Sequence, residues 1–302
     1  LEEKIIKNME QTIRSIGIIG VGMVGGCVKR YFEKKPDYKL FIYDKGKNIG
    51  SMEEVNKADF VYVCVPTPYI EGAGCDVSIA RDVISKLEGS KIIIIKSTVI
   101  PGTTELLQKE YPQHKILFNP EFLTEATADQ DMEYPDRQII GYTDDSYNVA
   151  KEVLMQLPLA PFERIVPATE SEMIKYANNS WFAVKVGFVN QLYDLCEKVK
   201  IDYKTVLEGL ATDKRVGRTH LKVWHKGYRG FGGKCLVKDS KALLFFARQQ
   251  NVSMPILEST DNYNDILLMS QDLKPLDTDA SSKVKEDNEK RYTVSKEIRQ
   301  KK

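Results

Sequence analysis

The sequence predicts an α/β fold, an N-terminal doubly wound parallel sheet followed by a mainly helical central domain entered by one long helix. Three observations predict it. Short, nearly continuous apolar runs alternate with helical stretches through the first half of the chain. The first run leads straight into a glycine-rich turn and then a helical pattern. Beyond about residue 170 the strand-like runs stop, and apolar residues recur every three or four positions.

Residues 15–19 are a short apolar strand, and Gly20-Val21-Gly22-Met23-Val24-Gly25-Gly26 leads into a helix to about residue 34. A second strand, 40–43, ends at Asp44. Residues 60–65 and 91–96 are almost wholly apolar, as parallel strands buried on both faces require. A helix is expected between them at 78–87, another at 102–110, and strands at 115–118 and 138–141. Met173, Ala177, Trp181, Val184, Phe188, Leu192 and Leu195 recur at steps of three and four, predicting a helix over 171–200 with Trp181 and Phe188 in the core. Further helices are expected at 203–210, 239–250 and 255–269. The expected domains are thus 12–169, 170–270 and a charged tail, 271–302. Half of that tail is charged and its apolar residues are sparse, so it is expected to be disordered or frayed helix.

The 302 residues are 42% hydrophobic, enough to fill a core, and the formal net charge of +1 gives no bulk attraction to nucleic acid or to an anionic membrane. No apolar run is long enough to span a bilayer, and the first eleven residues lack the apolar core of a secretory signal. Cys27, Cys64, Cys75, Cys196 and Cys235 form no CxxC or metal-like spacing and are expected to be reduced thiols of a cytoplasmic protein. His220 and His225 lack a metal-like partner spacing, so no metal is expected.

Gly20, Gly22 and Gly25 lie between a strand and a helix, the position at which glycines allow a tight turn, close approach to a pyrophosphate and helix packing. Asp44 ends the next strand, where a carboxylate accepts from both ribose hydroxyls and repels a 2′-phosphate. This Rossmann-type pattern favours NAD over NADP, with Lys45 and Lys47 as the opposing signal. The glycines alone read equally well as a structural turn. Strand, glycines, helix, strand and terminal Asp together do not.

A second block, Gly230-Phe231-Gly232-Gly233-Lys234-Cys235-Leu236-Val237-Lys238-Asp239, sets a thiol among glycines and lysines. Cations favour the reactive thiolate. A nicotinamide cofactor with a nucleophilic cysteine points to oxidation through a thioester. Lys96-Ser97-Thr98 and Asn119-Pro120-Glu121-Phe122-Leu123-Thr124-Glu125 each follow a buried strand, where ligands bind in such sheets. Lys175 and Asn179 share one helix face, turned away from the Ala177/Trp181 stripe, and a cation beside an amide can stabilise an oxyanion.

With Val65-Pro66-Thr67-Pro68 and Asp213-Lys214-Arg215-Val216-Gly217, these ordered blocks make the chain resemble the UDP-glucose/GDP-mannose dehydrogenase family over about residues 14–270, most closely its UDP-glucose 6-dehydrogenase branch. The resemblance implies oxidation of a sugar-nucleotide C6 alcohol to the carboxylate with two NAD. Water held by Lys175 and Asp239 would take the hydroxyl proton. Cys235 would add to the aldehyde, Lys175 and Asn179 would stabilise the oxyanion, and water positioned by Thr98 and Glu125 would cleave the thioester. Gly20, Gly22, Val24, Gly25, Asp44, Thr67, Thr98, Glu125 and Lys238 would contact NAD. Glu121, Phe122, Leu123, Glu125, Lys175, Asn179, Lys222 and Gly232 would line the sugar-nucleotide site. Arg215 would reach the neighbouring subunit's sugar, which implies a homodimer through the central helix.

UDP-glucose is the expected substrate and GDP-mannose the alternative. The chain departs from the family at Val237, where a proline is usual, at His220, where an aromatic is frequent, and in a longer loop at 224–229. Nothing after Ser270 resembles the family's C-terminal domain. That motivates a further alternative, a catalytically silent NAD-binding dimerisation protein. A 3-hydroxyacid dehydrogenase of similar fold would leave the Cys235 block unexplained.

Overall fold

A computed structural model describes residues 14–232 and 235–274. The chain divides into two compact units, one holding 14–70 and 75–175, the other 71–74 and 176–274. The charged tail beyond Lys274, and Gly233 and Lys234, lie outside the described residues.

Up to residue 167 the order is β1 (Arg14–Ile19), α1 (Met23–Glu33), β2 (Tyr38–Asp44), β3 (Ile49–Gly50), α2 (Met52–Val55), β4 (Phe60–Val63), β5 (Tyr69–Ile70), β6 (Gly74–Cys75), α3 (Ser78–Ile84), β7 (Ile92–Ile95), α4 (Thr103–Glu110), β8 (Lys115–Phe118), α5 (Ala128–Glu133), β9 (Arg137–Tyr142), α6 (Tyr147–Gln156) and β10 (Phe162–Pro167). Strands β5 and β6 pair as a separate ribbon. The main sheet runs β10-β9-β8-β7-β4-β1-β2-β3. Its central strands alternate their side chains between two cores. Ile93 and Ile95 join Val61, Val63 and Phe118 on one face. Ile94 joins Ile16, Ile18, Tyr62, Cys27, Val28 and Phe32 on the other. Each fully buried isoleucine contributes about 1.5–3 kcal/mol relative to exposure.

The register places the site. Ile19 is paired with both Tyr43 and Val63, Val63 with Ile95, and Ile95 with Phe118. Strands β1, β2, β4, β7 and β8 therefore end level, and Gly20, Asp44, Cys64, Lys96 and Asn119 leave along one sheet edge. Chain order reverses at β1, which has β2 on one side and β4 on the other. That is where an open α/β sheet has its ligand crevice.

The sheet is not parallel throughout. β9 runs antiparallel to β8, with Phe118 opposite Gly141. It enters from beyond the carboxyl end of β8, and the Asn119 side-chain amide donates to the Ile139 carbonyl at 2.9 Å, extending the contact past the ladder. β10 then pairs parallel to β9. The doubly wound parallel sheet is thus present with antiparallel pairs at β8–β9 and β2–β3; the connection from β8 to β9 returns on the same edge instead of crossing over.

The helix α7 (Ala168–Val199) is 32 residues long; residues through Lys175 belong to the first unit and the rest to the second. The second unit continues with α8 (Tyr203–Thr212), β11 (Trp224–His225), β12 (Tyr228–Arg229), α9 (Leu236–Gln249) and α10 (Pro255–Met269). Asp202 caps α8, its carboxylate accepting from Lys204 N and Thr205 N. Val189, Cys196, Tyr203, Ala211, Leu221 and Val223 form one core cluster, and Ala183, Val186, Phe231 and Val237 another.

The buried face of α7 is not the predicted one. Ser171, Glu172, Lys175, Tyr176, Asn179, Ser180, Ala183 and Val186 are buried, whereas Trp181 and Phe188 are each 60% exposed. The apolar stripe lies on the opposite side of the helix. On the inner face Glu172, Lys175 and Asn179 find specific partners in Thr104, Glu121 and Asp239, which a periodicity reading does not see.

Candidate functional site

The glycine turn shows what each glycine is for. Gly20 has φ +85°, and a methyl group on it would lie 2.7 Å from the Cys64 carbonyl oxygen. A methyl on Gly25 would lie 1.9 Å from the Gly20 carbonyl oxygen. Those two serve the fold. A methyl on Gly22 would meet nothing within 4 Å, so the protein itself does not demand glycine there. Gly22 N-caps α1, whose first turn has no side-chain cap and no acidic residue. Open space over uncapped N–H groups fits a dinucleotide pyrophosphate. Val24 is half-buried in that first turn.

Asp44 is half-buried at the end of β2. Its Oδ2 accepts from Val21 N at 2.8 Å and its Oδ1 from Lys47 N at 2.9 Å. The Lys47 ammonium donates to the Val21 carbonyl at 2.6 Å. The lysine that argued for a 2′-phosphate thus serves the glycine turn.

The other loops of this edge are tied together. Thr67 Oγ1 donates to the Thr98 carbonyl at 2.6 Å, and Ser97 Oγ to the Val65 carbonyl at 2.7 Å. Lys96 is buried and donates to Asn119 Oδ1 at 2.5 Å; desolvation holds its ammonium below the ordinary lysine range. Lys175 Nζ donates to both the Glu121 carbonyl and Glu121 Oε1 at 2.7 Å, with both side chains buried. Burial alone would raise the Glu121 carboxyl. The Lys175 charge, its hydrogen bond and the Leu123 N–H reverse that and hold it low. Phe122 and Leu123 are half-buried, with the Arg137 guanidinium 3.8 Å over the Phe122 ring, and Glu125 is exposed.

Glu172, which sequence reading missed, is fully buried and braces the loop that follows Thr98. It accepts from Gly102 N at 2.6 Å, Thr104 N at 2.8 Å and Thr104 Oγ1 at 2.6 Å. Burial pushes its carboxyl up to about 7. Its only sequence signal is its place one turn before Lys175.

In the second unit Cys235 is exposed and directly precedes α9. The helix had been expected from residue 239. It starts at Leu236, and Asp239 N donates to the Cys235 carbonyl at 2.9 Å in the first turn. The thiol therefore stands at a helix N-terminus, whose partial positive charge favours a thiolate. Asp239 is buried; Asn179 Nδ2 donates to its Oδ2 at 2.6 Å and Lys238 forms an ion pair with its Oδ1. Val237 fills a buried cluster with Ala183, Val186 and Phe231. By contrast, desolvation pushes the Cys27 thiol up to about 11 and Cys64 to about 12.

Gly232 is half-buried, and a methyl on it would lie 2.8 Å from the Tyr228 hydroxyl. Lys222 is exposed, and Arg215 pairs with Asp213 at 2.6 Å with its side chain 90% exposed. His220 stacks on Phe182 at 3.9 Å between ring centroids. Among the described residues no group of His, Cys, Asp or Glu is arranged to hold a metal ion, and no helix is long and apolar enough to cross a membrane.

Residues 43–157 match the NAD binding domain, and residues 169–266 the central domain, of the UDP-glucose/GDP-mannose dehydrogenase family. The cofactor is accordingly NAD. A UDP-glucose 6-dehydrogenase of Rhizobium meliloti is 35% identical over 228 residues, which are 70% of this chain and 51% of that protein. The chain spans about half the length of the curated relatives it matches. The structure of a UDP-glucose dehydrogenase from Pyrobaculum islandicum aligns with TM-score 0.76 at 24% identity, covering 87% of this chain and 72% of that one. A 3-hydroxyisobutyrate dehydrogenase of Mycobacterium tuberculosis shares the fold, with TM-score 0.67 at 16% identity over 89% of this chain and 98% of that one. The two domain matches together take in well over half of the 302 residues, and the chain belongs to the UDP-glucose/GDP-mannose dehydrogenase family.

Proposed function

We propose that this protein oxidises the C6 alcohol of a sugar nucleotide, UDP-glucose, to the carboxylate through a thioester on Cys235. The observation that carries the reading is an exposed thiol at the N-terminus of α9, one turn before a buried Asp239 held by Asn179. Bound NAD supplies the hydride acceptor for both two-electron steps.

Asp239 and Lys175 hold the water that takes the C6 hydroxyl proton. The Cys235 thiolate then adds to the aldehyde carbon, and the carbonyl oxygen becomes an alkoxide. Lys175 and Asn179 can stabilise it without giving up their partners. An ammonium has three protons, two of which go to Glu121, and the Asn179 amide has two, one of which goes to Asp239. A carbonyl has no alkoxide from which hydride can leave until a nucleophile adds, which is the need Cys235 meets. Loss of hydride gives the thioester. Water oriented by Thr98 and Glu125 cleaves its C–S bond, releasing the carboxylate and restoring the thiolate.

The outward apolar stripe of α7, with Trp181, Phe188 and Leu195 each more than half exposed, supports a homodimer through that helix. A cytoplasmic protein is consistent with five cysteines and no disulfide. The test is NADH formation by the purified protein with UDP-glucose, GDP-mannose and other sugar nucleotides. Two NADH per UDP-glucose supports the reading. A folded protein that reduces no NAD with any of them removes it and leaves the silent NAD-binding protein.

A further inference from the structure

Two side-chain amides grip the backbone that leads to Cys235. Asn264 Oδ1 accepts from Phe231 N at 2.7 Å, and Asn264 Nδ2 donates to the Phe231 carbonyl at 2.8 Å. Gln271 Oε1 accepts from Arg229 N at 2.8 Å, and Gln271 Nε2 donates to the Arg229 carbonyl at 3.1 Å. Each amide thus pairs with both polar groups of one residue, as a residue of a neighbouring antiparallel strand would. Arg229 ends β12 and Phe231 follows it across Gly230, and the polar groups of both reach a side-chain amide. Asn264 is in α10 and Gln271 is in the turn just past its end. Strand β12 pairs with β11 through Tyr228 and Arg229; Gln271 takes the Arg229 backbone groups, and Asn264 takes those of Phe231 just beyond the strand.

The fit is close. Asn264 is 1% exposed, and a methyl on Gly230, at φ +89°, would lie 2.7 Å from Asn264 Oδ1. The Arg229 side chain is also held, Nε donating to Asn190 Oδ1 at 3.2 Å and Nη2 pairing with Asp194 at 2.7 Å. The Phe231 ring joins Val237 of α9 in one buried cluster, which fixes the chain just past the thiol as well. None of Asn264, Gln271 or Arg229 belongs to a motif read from the sequence.

We propose that Asn264, seconded by Gln271, is a positioning residue for Cys235, setting where the thiol stands by holding the backbone of Phe231 on α10 and that of Arg229 on the turn that follows it. The inference rests on the covalent role given to Cys235 above. A nucleophile displaced by about 1 Å can lose on the order of a hundredfold in rate.

The test is the pH profile of Cys235 alkylation by iodoacetamide in the full chain, read by mass on the Cys235 peptide, alongside kcat and KM. For Asn264→Ala the alkylation profile shifts, kcat falls at least about tenfold and KM for NAD stays within about twofold. Asn264→Asp keeps the Phe231 N–H acceptor and loses only the donor, so it recovers part of the loss. Gln271→Ala, at a half-buried position just past α10, gives a smaller change in the same direction and decides the matter should Asn264→Ala not fold. Folded variants with wild-type alkylation profiles and wild-type kcat overturn the proposal. Should Cys235→Ala keep full turnover, the covalent reading fails, and the alkylation profile, read on the thiol itself, still decides whether Asn264 positions it.

Discussion

Asn179 Nδ2 and Asp239 Oδ2 stand 2.6 Å apart, and both side chains are at most 5% exposed. A buried carboxylate is retained only where donors satisfy it, and Asn179 and Lys238 supply them here. Asp239→Asn keeps the shape and removes the charge. It should lower kcat by about a hundredfold or more, the range of a lost acid–base group, with NAD affinity unchanged. Steady-state kinetics with UDP-glucose and NAD binding by tryptophan fluorescence check this. A variant with wild-type kcat would remove Asp239 from the mechanism.

The glycine turn separates fold from cofactor. Gly25→Ala forces a methyl to within 1.9 Å of a backbone oxygen and should cost several kcal/mol of stability, about the upper range of single substitutions. Gly22→Ala meets no protein atom within 4 Å and should leave the melting temperature within a few degrees while weakening NAD binding about tenfold or more. Calorimetry of folding and of NAD binding on the two variants reads the two effects apart. Equal losses of stability in both would contradict the assignment.

Glu172 makes stability depend on pH. Its carboxyl is pushed up to about 7 by burial, against an ordinary value of 4.5. Between those values the folded chain holds a proton that the unfolded chain has released. Stability therefore falls as pH rises from about 4.5 to about 7 and levels off above, by on the order of 3 kcal/mol from this group. Urea melts of the wild type and Glu172→Gln at several pH values from 5 to 8 should show the slope in the wild type alone. Parallel curves would mean that Glu172 is ionised throughout.

The outward stripe of α7 predicts an oligomer. Replacing exposed Trp181 and Phe188 by Glu should leave the fold intact, since neither is in a core cluster, and should lower the mass in light scattering from dimer to monomer. An unchanged mass would place the interface elsewhere.

Much of this was legible in the sequence because local chemistry decided it. Lys115–Phe118 and Pro255–Met269 fall where the strand at 115–118 and the helix at 255–269 were expected. The glycine turn and Asp44 stand at level strand ends, as their spacing requires. Long-range partners were not legible. The stripe through Trp181 has the right period, yet the inner face of α7 is set by Glu172, Lys175 and Asn179 finding Thr104, Glu121 and Asp239. The direction of β9 depends on which edge its connection follows, and the amide grip of Asn264 on Phe231 joins residues 33 apart with no motif to announce it. Helix α9 starts earlier than its apolar pattern suggests because its first turn is anchored by Val237.

The proposed chemistry turns on Cys235, and one measurement reads it directly. The protein is incubated with UDP-glucose and NAD, quenched in acid, and the Cys235 peptide is weighed by mass spectrometry, with slowed thioester cleavage in Glu125→Gln to let the adduct accumulate. The account predicts a sugar-nucleotide acyl adduct on Cys235, absent without NAD and absent in Cys235→Ala. NADH produced at the full rate by Cys235→Ala, with no adduct on the wild-type thiol, would contradict it.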